Sequence, residues 1–98
     1  MSDNLIDPEL SVVVPLYTEE ANVEPLYNEL TCALVPLAVP YELILVEDGS
    51  TDGTFLKLAH LQRLDRRVRV VRFARNFGQT AAFAAGFDLA RGRLVATL

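Results

Sequence analysis

Two hydrophobic periods alternate along this chain, and the switches between them lay out its elements. Ser11-Val12-Val13-Val14 is a short apolar run, read as a buried strand with Asp7-Pro8-Glu9 as its polar lead-in and Pro15 as its carboxyl edge. From Asn22 the apolar residues Val23, Leu26, Tyr27, Leu30 and Leu34 recur at helical spacing, with Asn22 placed as the N-cap and Pro36 and Pro40 closing the element. Glu42 to Val46 is apolar on successive residues, the pattern of a parallel strand covered on both faces. A helix from Thr54 to Leu64 follows, capped by Ser50 or Thr51; it buries Phe55, Leu58, Ala59 and Leu61 and leaves Lys57, Gln62 and Arg63 nearer solvent. Val68 to Phe73 has the partial alternation of a strand near a sheet edge, with Arg69 and Arg72 exposed. Gly78 through Ala90 then offers Phe83, Gly86, Phe87 and Ala90 as one helical stripe, with Gly86 allowing close approach to the sheet and Gly92 ending the helix at C′. Leu94 to Leu98 begins a fourth strand, and the chain stops inside that apolar run, as a cut through a longer domain would.

Strands alternating with helices over short links call for an α/β fold: a Rossmann-like half-domain with a mostly parallel sheet, helices on both faces, about four strands and three helices. Residues 1–10 are then a lead-in and 11–98 the body of the domain.

Composition changes this picture in three ways. At 98 residues there is room for one core, yet 51% of them are hydrophobic, and a mean hydropathy of +0.25 suggests apolar surface that meets a partner. Thirteen acidic against nine basic residues give a net charge of −4, which disfavours nonspecific nucleic-acid binding, although the basic residues bunch from Arg63 to Arg75. No apolar stretch approaches the roughly 18 residues of a membrane span, and Met1-Ser2-Asp3-Asn4 is acidic where a signal peptide is basic, so a soluble, cytoplasmic chain is expected. The single cysteine, Cys32, allows neither a disulfide nor a cysteine-based metal site and is expected to pack inertly on its helix. His60, away from the ligand edge, reads as a surface or packing histidine.

The candidate chemistry lies in three loops, each following a strand: Pro15-Leu16-Tyr17-Thr18-Glu19-Glu20, Glu47-Asp48-Gly49-Ser50 and Arg75-Asn76-Phe77-Gly78-Gln79. In open α/β sheets ligands bind at the carboxyl ends of the strands. A carboxylate there accepts from a base N–H or ribose hydroxyls, an aromatic ring flanks a base, and a helix N-terminus meets a phosphate, so the three loops together suit a nucleotide. Taken singly, Asp-Gly-Ser is turn chemistry and Ser-Thr-Asp is N-capping; their meeting on one edge is what favours a binding site. A phosphoacceptor receiver domain fits worse, because Pro15-Leu16-Tyr17 offers no acidic pair and no lysine follows a later strand.

In that order and spacing, Val14-Pro15-Leu16-Tyr17-Thr18-Glu19-Glu20, Val46 through Thr54 and Arg75-Asn76-Phe77-Gly78-Gln79 resemble the N-terminal part of an inverting family-two glycosyltransferase of GT-A fold. The branch it looks like is that of dolichol-phosphate mannosyltransferase and bacterial polyprenyl-phosphate sugar transferases, and the match runs from Ser11 to Leu98. The resemblance implies that Pro15, Tyr17, Glu19, Val46, Asp48, Gly49, Ser50 and Arg75 bind the nucleotide sugar, UDP- or GDP-linked, with Asp48 touching the base and Arg75 approaching a phosphate. Glu47 stands where the family has Asp, Thr18 stands where it often has Asn, and Phe77 and Gln79 are weaker candidates. It further implies Mg²⁺ or Mn²⁺ in the full-length parent, held by an Asp-x-Asp motif expected just beyond Leu98, with no metal and no catalytic residue in this fragment. The parent would act on a lipid phosphate at the cytoplasmic membrane face, while this chain would bind nucleotide weakly without turnover. The alternative is a non-catalytic module that self-associates as a homo-oligomer: the fourth strand, lying beside the first, would leave its other sheet edge unpaired.

Overall fold

The run that reads as covered on both faces becomes an interior strand in the computed structural model, which describes residues 7–98. The elements are β1 (Leu10–Leu16), α1 (Val23–Leu34), β2 (Tyr41–Glu47), α2 (Thr54–Leu64), β3 (Val68–Arg72), α3 (Gln79–Leu89) and β4 (Leu94–Thr97). All pairings are parallel and the four strands lie in the order β3-β2-β1-β4. Every residue of β2 is buried, and side chains leave it alternately toward two cores. Leu43 and Leu45 join Val12, Val14 and Leu16 under α1 and α2, where Val23, Leu30, Leu34, Leu58 and Leu61 cover them. Ile44 and Val46 join Val13 on the other face, beneath Ala82 of α3. Gly86 makes that second packing possible, since a Cβ there would fall 2.2 Å from Val13 Cγ1.

Several boundaries differ from the sequence reading, each for a local reason. The lead-in over residues 1–10 lies outside the described residues as far as residue 6, and Leu10 already belongs to β1. Pro15 does not stop β1, which runs on to Leu16 with Pro15 opposite Val46. Odd-numbered positions of this strand face β4, as the Leu94 N–H donating to the Glu9 carbonyl shows, and the described pairing with β4 runs from Leu10 to Val13, so Pro15 lies past it. Asn22 precedes α1 but makes no side-chain cap; its Nδ2 donates to Glu19 Oε2 at 2.7 Å instead. At α2 neither Ser50 nor Thr51 caps the helix: Asp52 Oδ1 accepts from the Thr54 N–H at 3.0 Å and from its hydroxyl at 2.6 Å. Gly92 is not a left-handed cap, because α3 ends on Ala90 in extended conformation. Gly92 is required by contact, as a Cβ would fall 2.7 Å from the Ser11 nitrogen. Cys32 is exposed rather than packed, His60 is exposed as read, and Phe87 stands half out of the structure, stacked on Phe83 at 5.9 Å.

Arg69 is not simply exposed either, because it serves a carboxylate that the sequence reading passed over. Glu42, at the amino end of β2, is 2% exposed. It accepts from Ser11 Oγ at 2.6 Å, Arg69 Nη1 at 2.9 Å, the Arg91 backbone N–H at 2.8 Å and the Arg91 guanidinium at 3.0 and 3.1 Å. Ser11 Oγ in turn accepts from the Gly92 N–H at 2.8 Å. One buried charge thus ties β1, β2, β3 and the α3–β4 link together. Burial works to raise the Glu42 pKa, and the bonds from Ser11, Arg91 and Arg69 outweigh it, leaving the pKa below the ordinary carboxylate value. A depressed folded-state pKa contributes stability above the unfolded value that is lost as pH falls through the folded one. Glu42→Gln is therefore expected to lower stability by about 2–4 kcal/mol at pH 7 in denaturant titrations. The gap from the parent chain should close as pH drops below about 4.

Candidate functional site

The three loops following β1, β2 and β3 meet at the carboxyl edge of the sheet and are tied to one another there. From the β1 loop, the Thr18 N–H donates to Ser50 Oγ at 2.8 Å and the Glu19 N–H to Thr54 Oγ1 at 3.0 Å. Glu20 Oε1 accepts from the Gly53 N–H at 2.9 Å, adding a third tie between the same two segments. The β2 and β3 loops are joined by Asp48, which is 3% exposed. Its Oδ1 accepts from the Phe77 N–H at 2.8 Å, and its Oδ2 from the Gly78 N–H at 3.1 Å and Asn76 Nδ2 at 3.0 Å. Asn76 Nδ2 also donates to the Asp48 carbonyl at 3.1 Å.

Glu47 looks inward. Fully buried, it accepts from the Gly49 and Ser50 N–H groups at 3.1 and 2.5 Å and so folds its own turn. Gly49 takes a φ of +77° there, and a Cβ would lie 2.1 Å from the Arg75 carbonyl carbon, so only glycine lets the two loops come this close.

Between the loops opens a cavity of about 290 Å³ lined by Pro15, Leu16, Tyr17, Glu19, Asp48, Asn76, Gly78 and Gln79. It offers one half-exposed ring, Tyr17, the carboxyl groups of Glu19 and Asp48, and the first residues of α3. A second cavity of about 340 Å³ shares Pro15, Leu16 and Glu19 with it and reaches Leu98. This is the side on which chain order reverses, β1 being followed by β2 on one flank while β4 lies on the other, which is where open α/β sheets hold ligands.

Of the residues expected to bind, Pro15, Tyr17, Glu19 and Asp48 line the cavity and four others do not. Val46 is fully buried against Val13, Ile44 and Ala82, because its side chain leaves β2 toward α3. Gly49 and Ser50 shape and tie the loops. Arg75 turns outward, its guanidinium 4.8 Å from the Phe77 ring centroid. Asn76, which the sequence places in the third loop without a role of its own, joins that loop to Asp48 through its side-chain amide. Among the described residues no three of His, Cys, Asp or Glu gather into a group able to hold a metal.

Thr18 sits at a φ of +50°, a left-handed conformation in which a β-branched residue is strained and asparagine is favoured. Its hydroxyl donates to the carbonyl of the neighbouring Tyr17 at 2.7 Å. Thr18→Asn is expected to raise stability by about 0.5–1 kcal/mol in chemical denaturation, leaving the Ser50 tie intact.

The sequence profile of glycosyl transferase family 2 matches residues 11–98. The chain is 50% identical over 91 residues to a dodecaprenyl-phosphate galacturonate synthase of Rhizobium johnstonii, covering 92% of this chain and 27% of that protein. It is 42% identical over 90 residues to an undecaprenyl-phosphate 4-deoxy-4-formamido-L-arabinose transferase of Aeromonas hydrophila, covering 91% of this chain and 28% of that protein. Among solved structures, the mannosyltransferase PcManGT from Pyrobaculum calidifontis in complex with GDP-Man and Mn²⁺ shares the fold, with a TM-score of 0.75 at 22% identity over 97% of this chain and 28% of its own. S. aureus TarS 1-349 matches with a TM-score of 0.75 at 26% identity, over 92% of this chain and 26% of its own. The chain thus spans between a quarter and a third of each of these four chains.

Proposed function

Because this chain belongs to glycosyl transferase family 2, we propose that its carboxyl-edge cavity is the nucleoside half of a donor site for a UDP- or GDP-linked sugar. The observation that carries this reading is the cross-tied meeting of the three strand-end loops around Tyr17, Glu19 and Asp48. Tyr17 and Pro15 flank the base, and Glu19 accepts from base or ribose donors. Asp48 forms the floor: three of its roughly four acceptor directions serve the 76–78 loop, leaving one for a base N–H. Asn76, through Asp48, fixes where that acceptor points.

The names of the two relatives above support a polyprenyl phosphate as the acceptor in the whole protein, and the reading places that lipid at the cytoplasmic face of a membrane. No described helix of this chain is long and apolar enough to cross one. In the transfer, an acceptor phosphate oxygen bonds to the anomeric carbon with inversion as the nucleoside diphosphate leaves. Among the described residues no group of three His, Cys, Asp or Glu could hold a metal, and the reading carries an isolated chain that binds nucleotide without turnover.

Calorimetric titration of the 98-residue chain with UDP and GDP is expected to show weak, saturable binding of one of them. Tyr17→Ala should weaken that binding about three- to tenfold, the value of one aromatic face. Heat signals absent with both nucleotides refute the reading, and measurable sugar transfer refutes the lack of turnover.

A second reading rests on a different surface. β4 lies at the sheet edge with all its residues exposed, and Leu94, Leu98 and Phe87 are 62%, 64% and 49% exposed. An apolar edge of this kind pairs readily with a second copy. Sedimentation velocity is expected to show dimers or larger species at high concentration, and Val95→Lys, within that edge, should shift them toward monomer. A chain that is monomeric throughout removes self-association.

A further inference from the structure

At the amino-terminal edge of the sheet, opposite the loops described above, lies a cavity of about 680 Å³ whose walls include Tyr27, Tyr41, Leu64, Asp65, Arg67 and Arg91. The proposed donor site uses none of them. Tyr27, Tyr41 and Leu64 supply apolar surface, and Arg67 and Arg91 supply positive charge.

Arg67 donates from Nε and Nη2 to Asp65, and Arg91 from Nε and Nη2 to Glu42, so each guanidinium is anchored while its Nη1 has no partner among the described residues. Both side chains are about half exposed, at 45% and 54%. With Arg69 also on Glu42, two carboxylates meet three guanidinium groups. Within this group the guanidiniums exceed the carboxylates by one, in a chain whose net charge is −4.

Tyr41 contributes an independent observation. The residue is 5% exposed, and its hydroxyl is buried without a hydrogen-bond partner. Native structures leave few such groups, and each calls for an explanation. The neighbouring Tyr27 hydroxyl is satisfied, donating to Asp65 Oδ2 at 2.6 Å. The Arg67 guanidinium covers the Tyr41 ring, 4.5 Å from its centroid.

We propose that this cavity is a second ligand site, for a small organic phosphate whose anionic group is carried on a flat apolar body. Arg67, beside Tyr41, and Arg91, on Glu42, bring guanidinium groups to the cavity wall from the two faces of the sheet, and charge-assisted bonds from arginine to a phosphate are the strong ones. The apolar body lies against Tyr27 and Leu64. The half-exposed Arg67 shifts as the ligand enters and gives the Tyr41 hydroxyl access to its missing acceptor. The length of β2 places this site about 20 Å from the donor cavity, so one can be occupied without the other.

Phenyl phosphate is the probe, with inorganic phosphate carrying the charge alone and phenol the ring alone. Titrated into the 98-residue chain and followed by amide chemical shifts, phenyl phosphate is expected to move Tyr41, Arg67, Arg91 and Gly92 while leaving Tyr17, Asp48 and Gly78 in place. Its Kd should be at least tenfold below that of either fragment. Tyr41→Phe is expected to bind it at least fivefold more weakly while melting at a higher temperature, having lost the unpaired hydroxyl. Arg67→Gln, altered at a half-exposed position, should weaken binding at least threefold. The site is overturned by shifts confined to the donor loops, by the absence of saturable shifts, by equal affinity for inorganic phosphate, or by an unchanged Kd in both variants.

Discussion

Three buried carboxylates, two on β2 and one just after it, organise this molecule. Glu42 opens β2, Glu47 closes it and Asp48 follows, and none is more than 3% exposed. A carboxylate taken out of water is tolerated only when hydrogen bonds and counter-charges replace its hydration. Each therefore binds groups around it, and those groups are the segments whose positions matter. Glu42 gathers Ser11, Arg69 and the link before β4. Glu47 folds the turn that follows it, and Asp48 holds the loop that leads into α3. The strand is thus both the middle of the core and the anchor for what lies at its two ends.

The same constraint sets the character of each end. At the carboxyl edge the partners of Asp48 among the described residues are neutral N–H groups, with no guanidinium among them, and Glu19 adds a second carboxyl group to the cavity wall. At the amino edge Glu42 and Asp65 are met by three guanidinium groups as well as by neutral donors. Tyr27, pushed up to about 12 by its burial and by the bond to Asp65, keeps its proton and stays a donor on that side. Its raised pKa stabilises the fold below the ordinary tyrosine value, and that contribution is lost as pH rises toward 12. A parallel sheet gives its two ends different backbone polarity; here the carboxylates at the two ends meet different partners as well.

Within the carboxyl-edge cavity, backbone geometry matters as much as side-chain chemistry. Gly49 and Gly78 take φ values of +77° and +100°, and Thr18 takes +50°. Gly49 is held by contact, its missing Cβ leaving room for the Arg75 backbone. Gly78 meets nothing within 4 Å, and only its conformation calls for glycine. Thr18 is the place where the chain tolerates strain within the loop that carries Tyr17.

Hydrophobic periodicity in the sequence determined the elements, their order and the parallel sheet, because burial on one or both faces leaves a direct record in local residue type. The β2 run, the extent of α2 and the close approach of Gly86 were legible for that reason, and so was the meeting of three strand-end loops, which follows from a parallel topology. Tertiary structure alone decided which side chains reach the cavity. Val46 and Asp48 lie two residues apart, yet Val46 is sealed under α3 and Asp48 opens to the cavity, since the strand ends between them. It also decided that Glu42 is a hub, because its partners stand 27, 31 and 49 residues away in the chain. Pairing at such separations depends on where the backbone returns, and no local pattern of residues records that.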